Sequence, residues 1–117
     1  MIEIIVHNIP PSNNKYLGNS RSHHIYRRDK EEWHWLVKAA IKERPSEPYK
    51  KALVTLRYFF KTHGRRDPDN YCGKFILDAL VKEGIIADDS FDVVTLDIGM
   101  GGVDKKDPRT VVCVVGR

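Results

Sequence analysis

The chain has 117 residues, of which 41% are hydrophobic and 31% charged. That is enough to bury one core and too little for two ordinary domains, so residues 1–117 are expected to form one globular domain rather than a disordered chain. Twenty Lys and Arg against sixteen Asp and Glu leave a formal charge of +4, which suits an anionic partner without identifying one. Basic residues crowd between Arg21 and Lys30 and between Lys61 and Arg66. Acids gather at Asp67, Asp69 and Asp78, and from Asp88 to Asp92.

In chain order, Ile2 to Val6 reads as a short, largely buried strand. Residues 7 to 28 show neither helical nor strand period and begin with "PPSNN", so they read as a long loop of the kind that is usually functional or disordered. Asp29 then has the place of an N-cap, with Glu32 completing a capping-box pattern. Trp33, Leu36, Val37, Ala40 and Ile41 follow as one apolar helix face, which Pro45 ends. Lys51 to Lys61 alternates, with Ala52, Val54, Leu56, Tyr58 and Phe60 on one side, and reads as a strand.

A second helix is expected over about Asn70 to Glu83, with Cys72, Phe75, Ile76, Ala79 and Leu80 inward and Gly84 as its stop. Val93 to Ile98 and Thr110 to Val115 read as strands joined by the loop "GMGGVDKKDP". The order β-α-β-α-β-β predicts an α+β fold, a two-layer sandwich with a mixed four-stranded sheet and two helices. Cys72 and Cys113 lie in apolar-patterned segments without metal-ligand spacing and read as core thiols. With no signal peptide, lipidation motif or apolar run of membrane-spanning length, a soluble cytoplasmic protein is expected.

The chemistry concentrates in "GRRDPDNYCGKFILDALVKEGIIADDS". Asp67 and Asp69 fall at a strand-to-helix junction, and Asp88 and Asp89 follow the same helix. Hard divalent cations take carboxylate oxygens and keep several waters, so two or three converging aspartates suffice for a site. Such a metal can activate water and neutralise charge on a phosphodiester. Lys74 would add positive charge at the scissile phosphate, and Arg65 and Arg66 would hold neighbouring phosphates. Spacing alone leaves a structural reading open, in which Asp67 and Pro68 cap a helix, Asp69 favours its dipole, and Asp88 and Asp89 make a turn. In that reading Lys74 and Asp78 form an i,i+4 ion pair.

The motifs "RRDPDN" and K-x3-D-A-L-x3-G-x3-D-D (Lys74, Asp78-Ala79-Leu80, Gly84, Asp88-Asp89), together with "PPSNN" after the first strand, resemble the RusA family of Holliday junction resolvases. The resemblance implies a homodimeric, Mg²⁺-dependent endodeoxyribonuclease, with Mn²⁺ as a substitute metal, that cuts four-way DNA junctions symmetrically in recombination and repair. It is often phage- or prophage-borne. Its acidic catalytic and metal-binding set falls on Asp67, Asp69 and Asp89, and its essential lysine on Lys74. Asn70, Asp78 and Asp88 are secondary site residues. DNA contacts are expected from Asn13, Asn14, Lys15, Arg27, Arg28, Arg65 and Arg66. One departure concerns spacing, because Lys74 follows Asp69 by five residues where the best-known members of that family have four. An extra helical residue would turn the lysine by ~100°, unless Gly73 absorbs it as a loose first turn or a bulge.

From Gly84 the chain has only five steps to Asp89, so an almost straight return is expected. One of Ile85 and Ile86 would pack on the helix and the other face away, bringing Asp89 to Asp67 and Asp69 of its own subunit. Two other classes stay open on the residues alone: a metal-dependent phosphatase or RNase using the same carboxylates, and a non-catalytic DNA-binding module in which the aspartates cap the helix.

Overall fold

A computed structural model describes residues 1–18 and 22–117; Arg21, at one end of the basic cluster, lies outside the described residues. Strand β1 (Ile2–Val6) leads through a 3-10 turn at Asn13–Tyr16 into helix α1 (Ser22–Ala40). Strand β2 (Ala52–Phe60), a 3-10 turn at Pro68–Asn70, helix α2 (Lys74–Lys82) and strands β3 (Val94–Val103) and β4 (Arg109–Gly116) complete the order. The sheet runs β1-β4-β2-β3, with β2 and β3 parallel and the other pairs antiparallel. The fold is α+β with a mixed four-stranded sheet, as the sequence predicts.

The alternation in β2 is complete, with Ala52, Val54, Leu56, Tyr58 and Phe60 all buried. They meet Trp33 and Val37 of α1 and Phe75, Ile76, Ala79 and Leu80 of α2 in one apolar cluster. Gly84 stops α2 in the left-handed region at φ 72°, and the Ile85 amide returns to the Leu80 carbonyl at 2.9 Å. Both cysteines are free, though half-buried rather than in the core.

Four expectations need correction. Helix α1 begins at Ser22, not at Asp29, so the loop is shorter and carries a 3-10 turn of its own. Asp29 is 4% exposed and points inward one turn before Trp33, the place an apolar residue would normally fill. It is held there by Lys15 Nζ at 2.8 Å and the Tyr16 hydroxyl at 2.9 Å, so it mimicked a cap by interrupting the apolar stripe. Second, no helix runs from Asn70. A 3-10 turn ends there, and Tyr71 to Gly73 separate it from α2.

Third, β3 extends through half of the expected loop, to Val103, because its glycines pass beneath a bulky neighbour. A Cβ on Gly101 would run into the ring of Phe59, and the register slips by one residue at that point. Last, neither Ile85 nor Ile86 faces away: both are buried, and Ile86 makes an isolated parallel bridge with Tyr49.

Gly73 has φ 77°, and a Cβ there would overlap Leu56 Cδ1. Gly73→Ala should therefore lower stability by about 3 kcal/mol, from backbone strain and overpacking together, measured by urea unfolding against Gly64→Ala as a control. Burial opposes ionisation of Asp29, but hydrogen bonds from Lys15 and Tyr16 and the charges of Lys15 and Arg28 outweigh it and lower its pKa. A depressed carboxylate stabilises above its unfolded value and loses that contribution as pH falls through its folded one. Asp29→Asn should cost about 1–3 kcal/mol at neutral pH. The gap from the native protein should narrow below about pH 4, which thermal melts across pH would show.

Candidate active site

The segment from Asp67 to Gly73 has one short 3-10 turn, so other parts of the chain must fix it. Asn13 Nδ2 donates to the Asp69 carbonyl at 2.9 Å and to Cys72 Sγ at 3.3 Å. The Tyr58 hydroxyl donates to the Tyr71 carbonyl at 2.9 Å. "PPSNN" thus serves first as a brace for the D-P-D-N turn, with Ser12 capping the Asn13–Tyr16 turn through the Asn14 amide at 3.3 Å.

Asp67 occupies the N-cap position of its turn, with Pro68 behind it, yet its side chain makes no capping hydrogen bond. Arg65 Nε approaches Asp67 Oδ1 at 3.3 Å, and the Asp67 side chain is 47% exposed. Asp69 is exposed. The Asp67 carboxylate is not spent on capping, and Asp69 stands in the first turn of the short 3-10 helix.

Lys74 opens α2, where a cation is disfavoured by the positive end of the helix dipole. Carboxylates compensate. Its Nζ lies 3.1 Å from Asp78 Oδ1 and 3.5 Å from Asp89 Oδ2. Asp78 Oδ2 is buried without a hydrogen-bond partner among the described residues, and Lys30 Nζ, 3.4 Å away but off hydrogen-bonding geometry, offsets its charge. The i,i+4 pair is therefore real, and it is one link in a chain Lys30–Asp78–Lys74–Asp89 that crosses from α1 over α2 to the following segment. The hydrogen bond to Asp78, joined by the charges of Asp78 and Asp89, outweighs partial burial and raises the Lys74 pKa. Lys74 is an ammonium at neutral pH.

Between Asp69 and Lys74 the chain does not run as one helix. Gly73 breaks the backbone in the left-handed region just before α2, so the helix starts afresh at Lys74 and its phase owes nothing to Asp69. Asp89 reaches Lys74 of its own chain. Among the described residues, however, no three His, Cys, Asp or Glu side chains gather as a metal-ligand set. Asp67, Asp69 and Asp89 fit a hard cation by chemistry, since all offer carboxylate oxygen and none is a soft ligand. Their placement here describes no coordination geometry.

The expected DNA-contact residues divide by how far they are already engaged. Lys15 is committed to Asp29, and Arg28 Nη2 lies 3.5 Å from it. Arg66 folds back on the Thr62 and Gly64 carbonyls and stacks over Phe60, 4.2 Å from the ring centroid. Arg27 and Asp88 are exposed, and Asn70 is half-buried at the end of its turn. Sequence reasoning missed Lys30, whose pairing with Asp78 spans two helices and leaves no local signal. It also assigned Tyr58 only to the core, where its hydroxyl additionally pins the site.

Comparison with curated proteins gives no match. A family model described as Endodeoxyribonuclease RusA matches residues 8–115, a span containing every residue of the site just described. The chain belongs to the RusA endodeoxyribonuclease family.

Proposed function

We propose that this chain is a Mg²⁺-dependent structure-specific endodeoxyribonuclease that resolves four-way DNA junctions, acting in the cytoplasm as a phage- or prophage-type homodimer. The observation that carries the reading is Lys74, held at the start of α2 between Asp78 and Asp89 and a few residues beyond a braced turn whose two carboxylates face solvent. Family membership supplies the reaction class, cleavage of DNA within a strand.

Asp67, Asp69 and Asp89 would hold Mg²⁺, or Mn²⁺ in its place, which when bound makes water nucleophilic and neutralises phosphate charge. Asn13 and Tyr58 hold the D-P-D-N turn in place through its backbone. Lys74 stays protonated, so it acts as a fixed cation beside the scissile phosphate and supplies charge or a proton to the leaving oxygen, not as a base. Asp78 positions that ammonium. Arg27, Arg28, Arg65 and Arg66, with Lys15, would supply positive charge to the strand backbone, and Asn14 a neutral amide contact.

A mobile four-way junction, duplex, single-stranded DNA and RNA compared side by side, with Mg²⁺ and with chelator, test the reading. The junction alone should be cut, and only with metal; RNA cleavage, or junction binding without cleavage at any metal concentration, would sink it. Asp69→Asn should reduce junction cleavage by at least about a hundredfold while band-shift affinity holds or tightens, because it removes a carboxylate without touching the carbonyl that Asn13 grips. Lys74→Gln should cost about a hundredfold in single-turnover rate. Lys74→Arg should recover part of that rate, since a cation persists; equal loss in both variants would contradict a charge role.

A further inference from the structure

Next to Lys74 lies a cavity of about 320 Å³, to which the site described above assigns no task. Its apolar wall is an aromatic cluster from three parts of the chain: Tyr16 from the first 3-10 turn, Tyr26 from α1 and Phe75 from α2. Tyr16 and Tyr26 meet edge to face at 5.1 Å between centroids, and Tyr26 and Phe75 lie 5.0 Å apart. The Tyr16 hydroxyl is tied to the buried Asp29, so the wall is set before any ligand arrives. Asn13 and Asn70 bring side-chain amides to the lining, and Lys74 adds the charge.

We propose that this cavity receives one nucleobase, unstacked from the strand next to the scissile phosphate. The inference rests on the nuclease reading above, and it adds a binding site for the base that the phosphate chemistry does not require. The volume lies at the small end of ligand pockets. Flat aromatic faces take a base of any identity by stacking, whereas the Asn70 amide carries both donor and acceptor and can read a base edge. Asn13 keeps only its carbonyl oxygen for that purpose, because its NH2 group is held by Asp69 and Cys72. Lys74 on the same lining supplies a cation for the phosphate attached to that base, which fits one nucleotide bound through both parts. Unstacking costs least where pairing is already disturbed, as at a branch point. The cavity thereby ties the position of the cut to a nucleotide at the branch and gives a physical source for a preference among bases there.

The two native cysteines provide the test. Cys72 lines the cavity, whereas Cys113 lies in β4, away from it. Alkylation by iodoacetamide is followed by mass spectrometry in free protein and in protein saturated with junction, with chelator present to keep the DNA whole. Junction should slow Cys72 at least tenfold relative to Cys113. An abasic unit at one of the two nucleotides on either side of the cut should restore the Cys72 rate to within about threefold of free protein, while binding stays saturated. Protection that persists with an abasic unit at every position, or no protection at all, would overturn the proposal. A cleavage cycle gives an independent reading, since removing the base and replacing Tyr26→Ala should each slow single-turnover cutting at least fivefold, without adding when combined. Additive losses would count against the pocket. Base-dependent protection without junction cleavage would leave the pocket standing and remove the nuclease reading. Cleavage with base-independent protection would do the reverse.

Discussion

The backbone of Gly73 lies so close to Leu56 that no side chain fits between them, and the rest of the site depends on that approach. Leu56 is buried in the middle of β2, so the contact docks the start of α2 on the sheet at one fixed point. Because Gly73 takes a left-handed conformation there, α2 begins at Lys74 with its own phase. Lys74 then meets Asp78 one turn along and Asp89 beyond the helix end. Had the 3-10 turn run straight into α2, one additional residue would have swung the ammonium by ~100° away from both.

The second feature is that the segment from Asp67 to Tyr71 is held through its backbone groups. Asn13 and Tyr58 both bond to carbonyls, at Asp69 and Tyr71, and leave the carboxylates of Asp67 and Asp69 alone. Asn13 is itself supported by the turn that Lys15 and Tyr16 anchor on Asp29. A buried, paired carboxylate contributes little net stability but is costly to leave unpaired, so it favours one placement of the N-terminal turn over others. Through that turn, a residue in the middle of α1 governs the position of a loop far along the chain.

Charge at the site follows a similar economy. Several cations that a sequence reading would hand to DNA are already engaged within the chain: Lys15 with Asp29, Arg28 beside the same carboxylate, Arg65 with Asp67. Arg65 is a weak commitment, because its guanidinium is 89% exposed and exposed pairs gain little; a phosphate would compete for it readily. Lys15 faces a carboxylate that is only 5% exposed, and separating that pair strands a buried charge. The two belong to different structural roles despite equal formal charge.

By itself the sequence determined the element order, the apolar faces of both helices, the alternation of β2 and the stop at Gly84, because each is written in spacing a few residues long. It also determined the family, through motifs that lie within the matched residues. Tertiary structure alone decided that Asp29 lies inside a helix, that Gly99 to Val103 form a strand, and that Lys30, Tyr58 and Asn13 support the site. The reason is common to all of them. An inward carboxylate looks like a cap until its partner fourteen residues earlier is seen, and a glycine run looks like a loop until the ring of Phe59 lies across it. Such assignments depend on which distant side chain fills the neighbouring space, and local pattern carries no record of that.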